Sequence, residues 1–341
     1  MKAAIVGAGL VGRLLAWRLQ RAGWQLDIFE QSAAEDNASC AYVAAGMLAP
    51  IAELDKSVPL IAEMGLKSLA LWPQWLAELR QPVEFHRAGS LVTAHASDQI
   101  ELQHYAGRLE RFAIAQDQFE WCGSQRIVDL EPELSTLTQA IYLPTEGQID
   151  NQALLTALHV DLTQAGVTWY WSTPVQTVAP HQVTTASETQ TYDWVLDCRG
   201  LGAKADIATL RGVRGEVIWL HAPAVNLSRP VRYLHPRYSI YIVPRVNQQY
   251  IIGASEIDAE DHSPISVRSA LELLTAAYSL HRGFAEARIQ KTATHCRPTF
   301  ADHNPQVMHE SGLTAINGLF RHGFLIAPYL VEQVLEGVTD D

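Results

Sequence analysis

Apolar and polar positions along the chain alternate in a way that divides it, from the first residues, into short strands and amphipathic helices. Ala3 to Val6 is an apolar run that reads as a buried strand, Leu10 to Ala22 has helical spacing ended by Gly23, and Gln25 to Phe29 makes a second strand finishing at Glu30. A polar loop, Gln31 to Ser39, precedes the small-residue run Ala44-Ala45-Gly46-Met47-Leu48-Ala49-Pro50. Such a run suits backbone held close to something flat or bulky, or a tight helix crossing. Pro59 to Leu79 repeats helically, with Leu66, Leu69, Leu71, Trp72, Trp75, Leu76 and Leu79 on one wide apolar face and Pro73 as a candidate kink.

From Val83 to Ile141 the pattern changes to a strand (Ser90 to Ala94), a charged helix (Gln99 to Ala113) and an irregular piece ending in Glu131-Pro132-Glu133-Leu134, which together read as an inserted layer. A helix from Ala153 to Gln164, capped by Asp150 or Asn151 and closed by Gly166, then leads to strands at Val167 to Trp171 and Val175 to Val178, where parallel winding is expected to resume. Tyr192 to Asp197 is another strand, running into the turn Arg199-Gly200-Leu201-Gly202. Val213 to Leu220, Ser239 to Val243 and Gln249 to Gly253 are β-branched and aromatic runs that predict an antiparallel sheet. A helix from Ile265 to Ser279, capped near Ser263, is expected to turn Val267, Leu271, Leu274 and Ala277 or Tyr278 onto it. The last strand, Leu313 to Ile316, passes through a glycine turn into a helix from Phe324 to Leu335.

The first strand and helix are joined by Gly7-Ala8-Gly9-Leu10-Val11-Gly12, a GxGxxG spacing. Gly7 permits the tight turn, Gly9 lets a pyrophosphate approach bare backbone, and Gly12 lets the helix lie close on the sheet. Glu30 places a carboxylate where both hydroxyls of an adenosine ribose can donate to it, which disfavours a 2'-phosphate and hence NADP. NAD and FAD share this ADP half, and the motif does not separate them. The ending mirrors the beginning, aiming a second helix N-terminus at the same cleft as a place for negative charge.

A chain of 341 residues has room for two domains, and its 48% hydrophobic and 18% charged content belongs to a folded protein. The net charge of -12 argues against nucleic acid or an anionic membrane surface as partner. Cys40, Cys122, Cys198 and Cys296 are widely spaced, which suits a reducing compartment, and no apolar run is long enough to span a bilayer. The cytoplasm is the expected location; homo-oligomerisation stays open. There is no HExxH or GxSxG, and His295, His303, His309 and His322 lack tetrahedral metal-ligand spacing, so no metal is expected. Arginines in turns, Arg297-Pro298 and Arg321-His322-Gly323, suit bidentate recognition of a carboxylate.

Seven segments in order carry a likeness over nearly the whole chain: the nucleotide motif ending in Glu30, AAGMLAP at Ala44 to Pro50, RGEV at Arg214 to Val217, YIVPR at Tyr241 to Arg245, IIGASE at Ile251 to Glu256, CRPTFADHNP at Cys296 to Pro305 and NGLFRHGFLIAP at Asn317 to Pro328. Together they resemble the D-amino-acid oxidase family of FAD-dependent oxidoreductases, and within it most the glycine oxidases of thiamine biosynthesis. The resemblance implies an α/β fold: a Rossmann-like FAD-binding domain (1–84, 142–212 and 288–341) with a second, mostly antiparallel β-sheet substrate domain (85–141 and 213–287). It further implies non-covalent FAD, with Gly7, Gly9, Leu10, Val11, Gly12, Glu30 and Gln31 at its ADP half and Val175 touching the adenine. Cys40, Ala41, Ala45, Gly46 and Met47 would pass the pyrophosphate and the isoalloxazine edge, Gly200 would return backbone to the nucleotide, and Leu319, Phe320, Arg321, His322, Gly323, Phe324 and Leu325 would lie along the flavin ring.

By the same resemblance, Arg297 is the carboxylate anchor, Tyr241 its helper phenol, and Arg321 stands at the substrate side. The implied reaction is oxidative deamination of glycine or another small amino acid or amine by hydride transfer to flavin N5, with oxygen or another acceptor taking the electrons. The segment Cys40-Ala41-Tyr42-Val43-Ala44, Glu256, and Phe300 with His303 depart from the family's usual residues, which bears on specificity for glycine. The alternatives are a sarcosine oxidase-like enzyme with flavin attached at Cys296, a D-amino-acid dehydrogenase-type flavoenzyme, an NAD-dependent dehydrogenase and a non-catalytic FAD-binding protein.

Overall fold

A computed structural model of the chain describes every residue except Asn37, Pro236, Arg237, Asp340 and Asp341, with the backbone alone of Tyr238, Ser239 and Thr339. The expected end of the third nucleotide-domain segment, 340–341, and Asn37 of the polar loop thus lie outside the described residues. The first half of the chain runs β1 (Lys2–Val6), α1 (Leu10–Arg21), β2 (Gln25–Phe29), α2 (Cys40–Val43), β3 (Met47–Leu48), α3 (Pro50–Glu53), α4 (Pro59–Ala77), β4 (Phe85–His86), β5 (Ser90–Ala94), α5 (Gln99–Leu109), β6 (Glu120–Gly123), α6 (Ser124–Leu130), β7 (Gln139–Leu143), β8 (Gly147–Ile149) and α7 (Asn151–Gln164). The second half runs β9 (Thr168–Tyr170), β10 (Val175–Ala179), β11 (Gln182–Thr185), β12 (Thr189–Thr191), β13 (Trp194–Asp197), β14 (Arg211–His221), β15 (Val231–His235), β16 (Tyr238–Arg245), β17 (Gln249–Gly253), α8 (Val267–Leu280), β18 (Arg288–Thr299), β19 (Gln306–Glu310), β20 (Leu313–Asn317) and α9 (Gly323–Thr339).

A six-stranded sheet, ordered β19-β20-β13-β1-β2-β9, is parallel except for its edge strand β19. Residues on β1 alternate between two cores. Ala3 and Ile5 pack with α1, α4, α7 and α9 around Trp17, Trp72 and Leu155, whereas Ala4 and Val6 pack under the antiparallel meander β10-β11-β12. Burial on both faces is why the run is continuously apolar, as expected of a central parallel strand.

The second large sheet, β18-β14-β17-β16-β15-β5-β7-β6, is antiparallel apart from the β15–β5 pair. Along β14, Ile218 and Leu220 face α8, while Val217 and Trp219 face the opposite side with Ala45, Val243 and Ile251. A small sheet, β3-β8-β4, joins the small-residue run to the chain before α7. No helix among the described residues is long and apolar enough to cross a membrane.

Several elements depart from the sequence reading. The charged helix stops at Leu109, and Glu120–Gly123 and Ser124–Leu130 form a strand and helix where an irregular piece was expected. Val175 lies in the antiparallel meander and does not continue the parallel winding. Arg288–Thr299 is hydrogen-bonded along β14 in the second sheet, so the segment from 288 does not all go with the six-stranded sheet, and the expected boundary at 142 falls inside β7. The string RIQKTATHCRPT is largely exposed over its first half and carries no apolar alternation to mark it as a strand.

Helix α8 is rotated from the expected face. Its cap is Ser266, whose side chain accepts from the Ser269 amide, while Ser263 bonds Asp261. Of the expected residues Ala277 is buried and Leu274 packs half-buried on the sheet's core, as read, but Val267, Leu271 and Tyr278 are exposed, and Leu273, Ala276 and Leu280 are buried in their place. The helix carries apolar residues on more than one side, so spacing alone does not decide which side faces the sheet. Leu273→Ala should therefore lower stability by about 2–5 kcal/mol through the cavity it leaves, and Leu271→Ala by no more than about 0.5 kcal/mol. Urea unfolding midpoints of the two variants check this ordering.

Candidate active site

A cavity of about 580 Å³ is lined from both large sheets. At one end stand Gly9, Leu10 and Val11, where β1 gives way to α1, together with Cys198 and Gly200 after β13. The turn is held by close approach: Gly7 has φ +101°, and a Cβ on Gly12 would lie 2.0 Å from the Gly7 carbonyl oxygen. Gly9 has room, its nearest neighbour to an added Cβ being the Ser39 side chain at 3.9 Å. No side chain caps α1 and no acid occupies its first turn, so its leading N–H groups are available to an anion. The start of α9 adds a second N-terminus without an acid in its first turn, and Gly323, Phe324 and Leu325 line the same cavity.

The small-residue run forms one wall. Gly46 has φ +61°, and a Cβ there would meet the Ile149 carbonyl oxygen at 2.1 Å. The buried Arg245 guanidinium donates to the carbonyls of Ala45 (2.6 Å) and Ile149 (3.0 Å), and Asn151 donates to those of Ala41 and Tyr42. The run is therefore a backbone packed against β8, not a helix crossing. Opposite it, Asn317 donates to the Gly200 carbonyl, and Phe320, at φ +50°, stacks on His303 with centroids 4.5 Å apart.

At the other end, two glycines make room for two polar side chains. A Cβ on Gly215 would stand 2.2 Å from Arg297 Nη2, and one on Gly253 would stand 2.7 Å from the Tyr241 ring. Arg297 lies over the β14 backbone and donates to the Ser255 carbonyl at 3.2 and 3.3 Å. Among the described residues it forms no ion pair with a carboxylate. Burial lowers its pKa and raises that of Tyr241, which keeps the phenol a neutral donor.

Beside them lies a buried charge network that the sequence reading missed. Glu53 pairs with Arg232 at 2.5 Å, with Arg321 at 2.9 Å and with His322 at 3.3 Å. Burial alone would raise the Glu53 pKa, but Arg321 and Arg232 outweigh it and hold the carboxyl well below the usual range. Burial pushes His322 down to about 4, against the pull of Glu53, so the ring is neutral at pH 7. Nearby Glu146, which accepts from the Ala52 amide and the Ser90 hydroxyl, is pushed up to about 7 by burial.

Of the residues singled out from sequence, Gly9, Leu10, Val11, Cys40, Ala41, Ala45, Gly46, Met47, Gly200, Tyr241, Arg297 and residues 319–325 all line this cavity. Gly7, Gly12, Glu30, Gln31 and Val175 do not. Glu30 instead accepts from the amides of Ala8 (2.9 Å) and Ser32 (3.1 Å), shaping the turn around the α1 start, and Gln31 is exposed. Cys296 is fully buried with Sγ toward the carbonyls of Ala259 and Asp261, while its neighbours His295 and Arg297 line the cavity. Strand alternation thus turns this thiol away from the cavity, which removes the ground for a flavin bound through it.

The chain matches the family described as DAO, FAD dependent oxidoreductase, over residues 2–334. It belongs to that family. This oxidoreductase is 35% identical over 335 residues to the thiamine biosynthesis oxidoreductase ThiO of Rhizobium etli, covering 98% of this chain and 95% of the relative. It is 26% identical to the glycine oxidase of Geobacillus kaustophilus, across 95% and 89% of the two chains. The crystal structure of glycine oxidase from that organism superposes with a TM-score of 0.86 at 24% identity, covering 99% of this chain and 94% of the other. Iminodiacetate oxidase from Chelativorans gives a TM-score of 0.83 at 24% identity, covering 99% and 95%. The D-amino-acid oxidase-like fold and FAD as cofactor follow, and the NAD-dependent and non-catalytic alternatives fall away.

The cavity fits FAD on its own terms, since the uncapped start of α1, a second helix start without an acid in its first turn, and glycine-lined backbone suit a diphosphate and a flat ring. Two predictions come from this geometry. Gly215→Ala should fold, because the Cβ meets only the end of a side chain, yet displace Arg297 and lower kcat/KM by about 100-fold with FAD retained, as expected for a misplacement near 1 Å; steady-state kinetics and bound-flavin absorbance measure both.

The second concerns pH. With a folded pKa near 7 against 4.5 unfolded, Glu146 contributes stability present below pH 4.5 that is lost as pH rises to 7. His322, near 4 folded against 6.5 unfolded, contributes stability present above 6.5 that is lost as pH falls to 4. Glu146→Gln removes the first slope only, so from pH 5 to 7 the variant should gain stability relative to the parent by on the order of 1–3 kcal/mol. Urea midpoints at the two pH values give the difference.

Proposed function

We propose that this enzyme oxidatively deaminates glycine or another small amino acid or amine. The observation that carries the reading is Arg297, a buried guanidinium on the cavity wall beside the Tyr241 phenol, without a carboxylate partner among the described residues. A planar fork of donors in that state is suited to both oxygens of an incoming carboxylate. When bound, FAD would supply the acceptor for a hydride from the substrate's α-carbon and the route for its electrons to oxygen, with hydrogen peroxide, an oxo acid and ammonia as the products of an amino acid.

The chain's own part is positioning. Arg297 and Tyr241 clamp the carboxylate, so the α-carbon hydrogen points at the face lined by residues 319–325. The α9 N-terminus would favour negative charge on a ring held there. Glu53, held ionised by two guanidiniums, is too weak a base to take a proton from the substrate, and the amine therefore enters the reaction already neutral. Gly9, Leu10 and Val11 would hold the diphosphate, with Gly7 and Gly12 shaping the turn and Glu30, through the Ala8 amide, setting its edge near the ribose. Cys40, Ala41, Ala45, Gly46, Met47 and Gly200 form the walls; Val175 and Gln31 stand outside the cavity and serve at most the adenine end.

In this reading the six-stranded sheet and its helices bind the nucleotide, and the eight-stranded sheet presents the substrate side. Similarity to ThiO supports a place in thiamine biosynthesis, with a cytoplasmic location and self-association as further parts of the proposal. Anaerobic reduction of the bound flavin by a panel of small amino acids and amines tests the substrate class, and a flavin that no member bleaches would sink it. Arg297→Ala should lower kcat/KM for amino acids by about 3–5 kcal/mol while FAD stays bound. Lysine there should rescue only in part, and Tyr241→Phe should cost about 1 kcal/mol. An amine without a carboxylate should be indifferent to the Arg297 change; amino-acid turnover at the parent rate in Arg297→Ala would move the anchor elsewhere.

A further inference from the structure

Arg321 is the second guanidinium on the substrate side of the cavity, and each of its three nitrogens already meets a carboxylate. Nε and Nη2 meet the Glu53 carboxylate at 2.9 and 3.3 Å, and Nη1 meets Glu256 Oε2 at 2.9 Å. The two acids differ in kind. Glu53 is buried and also bound by Arg232, so it is a fixed part of the wall, whereas the Glu256 side chain is 43% exposed. The backbone around Glu256 is pinned independently of that side chain. The Ser255 hydroxyl accepts from the Glu216 amide, the Ser255 carbonyl accepts from Arg297, and Ile257 bridges Arg214 in both directions. A change of side chain at 256 therefore leaves its loop in place.

The charges give this pair a meaning. Arg232, Arg297 and Arg321 face Glu53 and Glu256 with His322 neutral, leaving one positive charge over, at Arg297. Asp55, Lys56, Arg268 and Glu272 also line the cavity, but two acids and two bases add no net charge; Asp55 is paired with Arg108, and Lys56 and Arg268 are exposed, where water screens them. A substrate with one carboxylate and a neutral amine matches that single charge. A second carboxylate near Arg321 would have to displace Glu256 or sit beside it, and like charges brought together there disfavour binding.

Resting on the reading of Arg297 as anchor, we infer that Glu256 is a specificity-determining residue: by occupying Arg321 it restricts the enzyme to monocarboxylic amines, and neutralising it opens a second anion site for dicarboxylic amines. Repulsion of the wrong substrate, not added attraction for the right one, is the device.

The test uses matched pairs that differ by one carboxylate, on the FAD-loaded enzyme. Methoxyacetate and oxydiacetate have no amine to oxidise, and their Kd values are read from the perturbation of bound-flavin absorbance. In Glu256→Gln and Glu256→Met the Kd ratio of oxydiacetate to methoxyacetate should fall at least tenfold, and Glu256→Asp, which keeps the charge, should stay with the parent. Anaerobic flavin reduction by iminodiacetate relative to sarcosine should rise in the same two variants. Unchanged ratios in both neutral variants, with methoxyacetate binding still dependent on Arg297, would overturn the role of Glu256 alone. Methoxyacetate binding indifferent to Arg297→Ala would instead sink the anchor, and this inference with it.

Discussion

Everything in the nucleotide half depends on how closely α1 lies on β1. The 2.0 Å between a hypothetical Gly12 Cβ and the Gly7 carbonyl means that any other side chain would lift the helix off the sheet. Lifting it would move the uncapped amides at Gly9, Leu10 and Val11 and pull Trp17 and Leu15 from the core they share with α4 and α9. The proposed phosphate site and the core around Trp17 and Trp72 are thus set by one contact that contains no side chain. Arg13 secures it from the far side by donating to the Ala8 carbonyl at one end of its guanidinium and to Leu155, on α7, at the other.

Buried guanidiniums play the same fastening part elsewhere. Arg245 ties β16 to the small-residue wall, Arg214 ties β14 to the segment before α8 through Asp261 and Pro264, and Arg232 ties β15 to α3 through Glu53. A neutral hydrogen-bonding side chain reaches one or two carbonyls, whereas an arginine reaches several at fixed angles. The cost of burying each charge is offset where a carboxylate or several carbonyls meet it, and removing one partner from such a set leaves an uncompensated charge worth about 3–5 kcal/mol. Arg13 and Arg245 likewise meet only main-chain carbonyls, but Arg297 does so on the cavity wall, and in the proposed reading its charge is met there by a ligand.

What could be read from sequence divides along the same line. The opening strand, turn and helix were legible because apolar spacing, glycine positions and the acid at Glu30 all specify one local geometry. The sheet-facing side of α8 was not, since apolar residues on more than one side of the helix leave spacing alone unable to decide it. β18 was missed as a strand because its outward face is polar and its partners lie far back in the chain. Arg297 and Arg321 stood out in the pattern only as arginines beside proline or glycine; their roles, with Tyr241 and the rest of residues 319–325, came from resemblance, and Glu53 was not reached at all. Glu53 meets Arg232 across 179 positions, and Arg245 meets Ala45 across 200. No periodicity connects residues that far apart, and only the folded sheets bring them together.

The arrangement of charge also sets what kind of catalyst the cavity can be. Each acid lining its inner part is bound by arginine, and the one histidine among residues 319–325 is neutral and buried, so a proton has no good acceptor next to the substrate. In the proposed reaction, rate enhancement then comes from geometry: a carboxylate fixed by a fork and a phenol, and an α-carbon held against the ring face. That demand explains why the supports of Arg297 and Tyr241 are glycines on neighbouring strands. Gly215 and Gly253 let both side chains lie flat on the β14 and β17 backbone, where a sheet, the stiffest element available, sets their position. A loop would supply the same groups with more freedom, and in a reaction driven by positioning that freedom is lost rate.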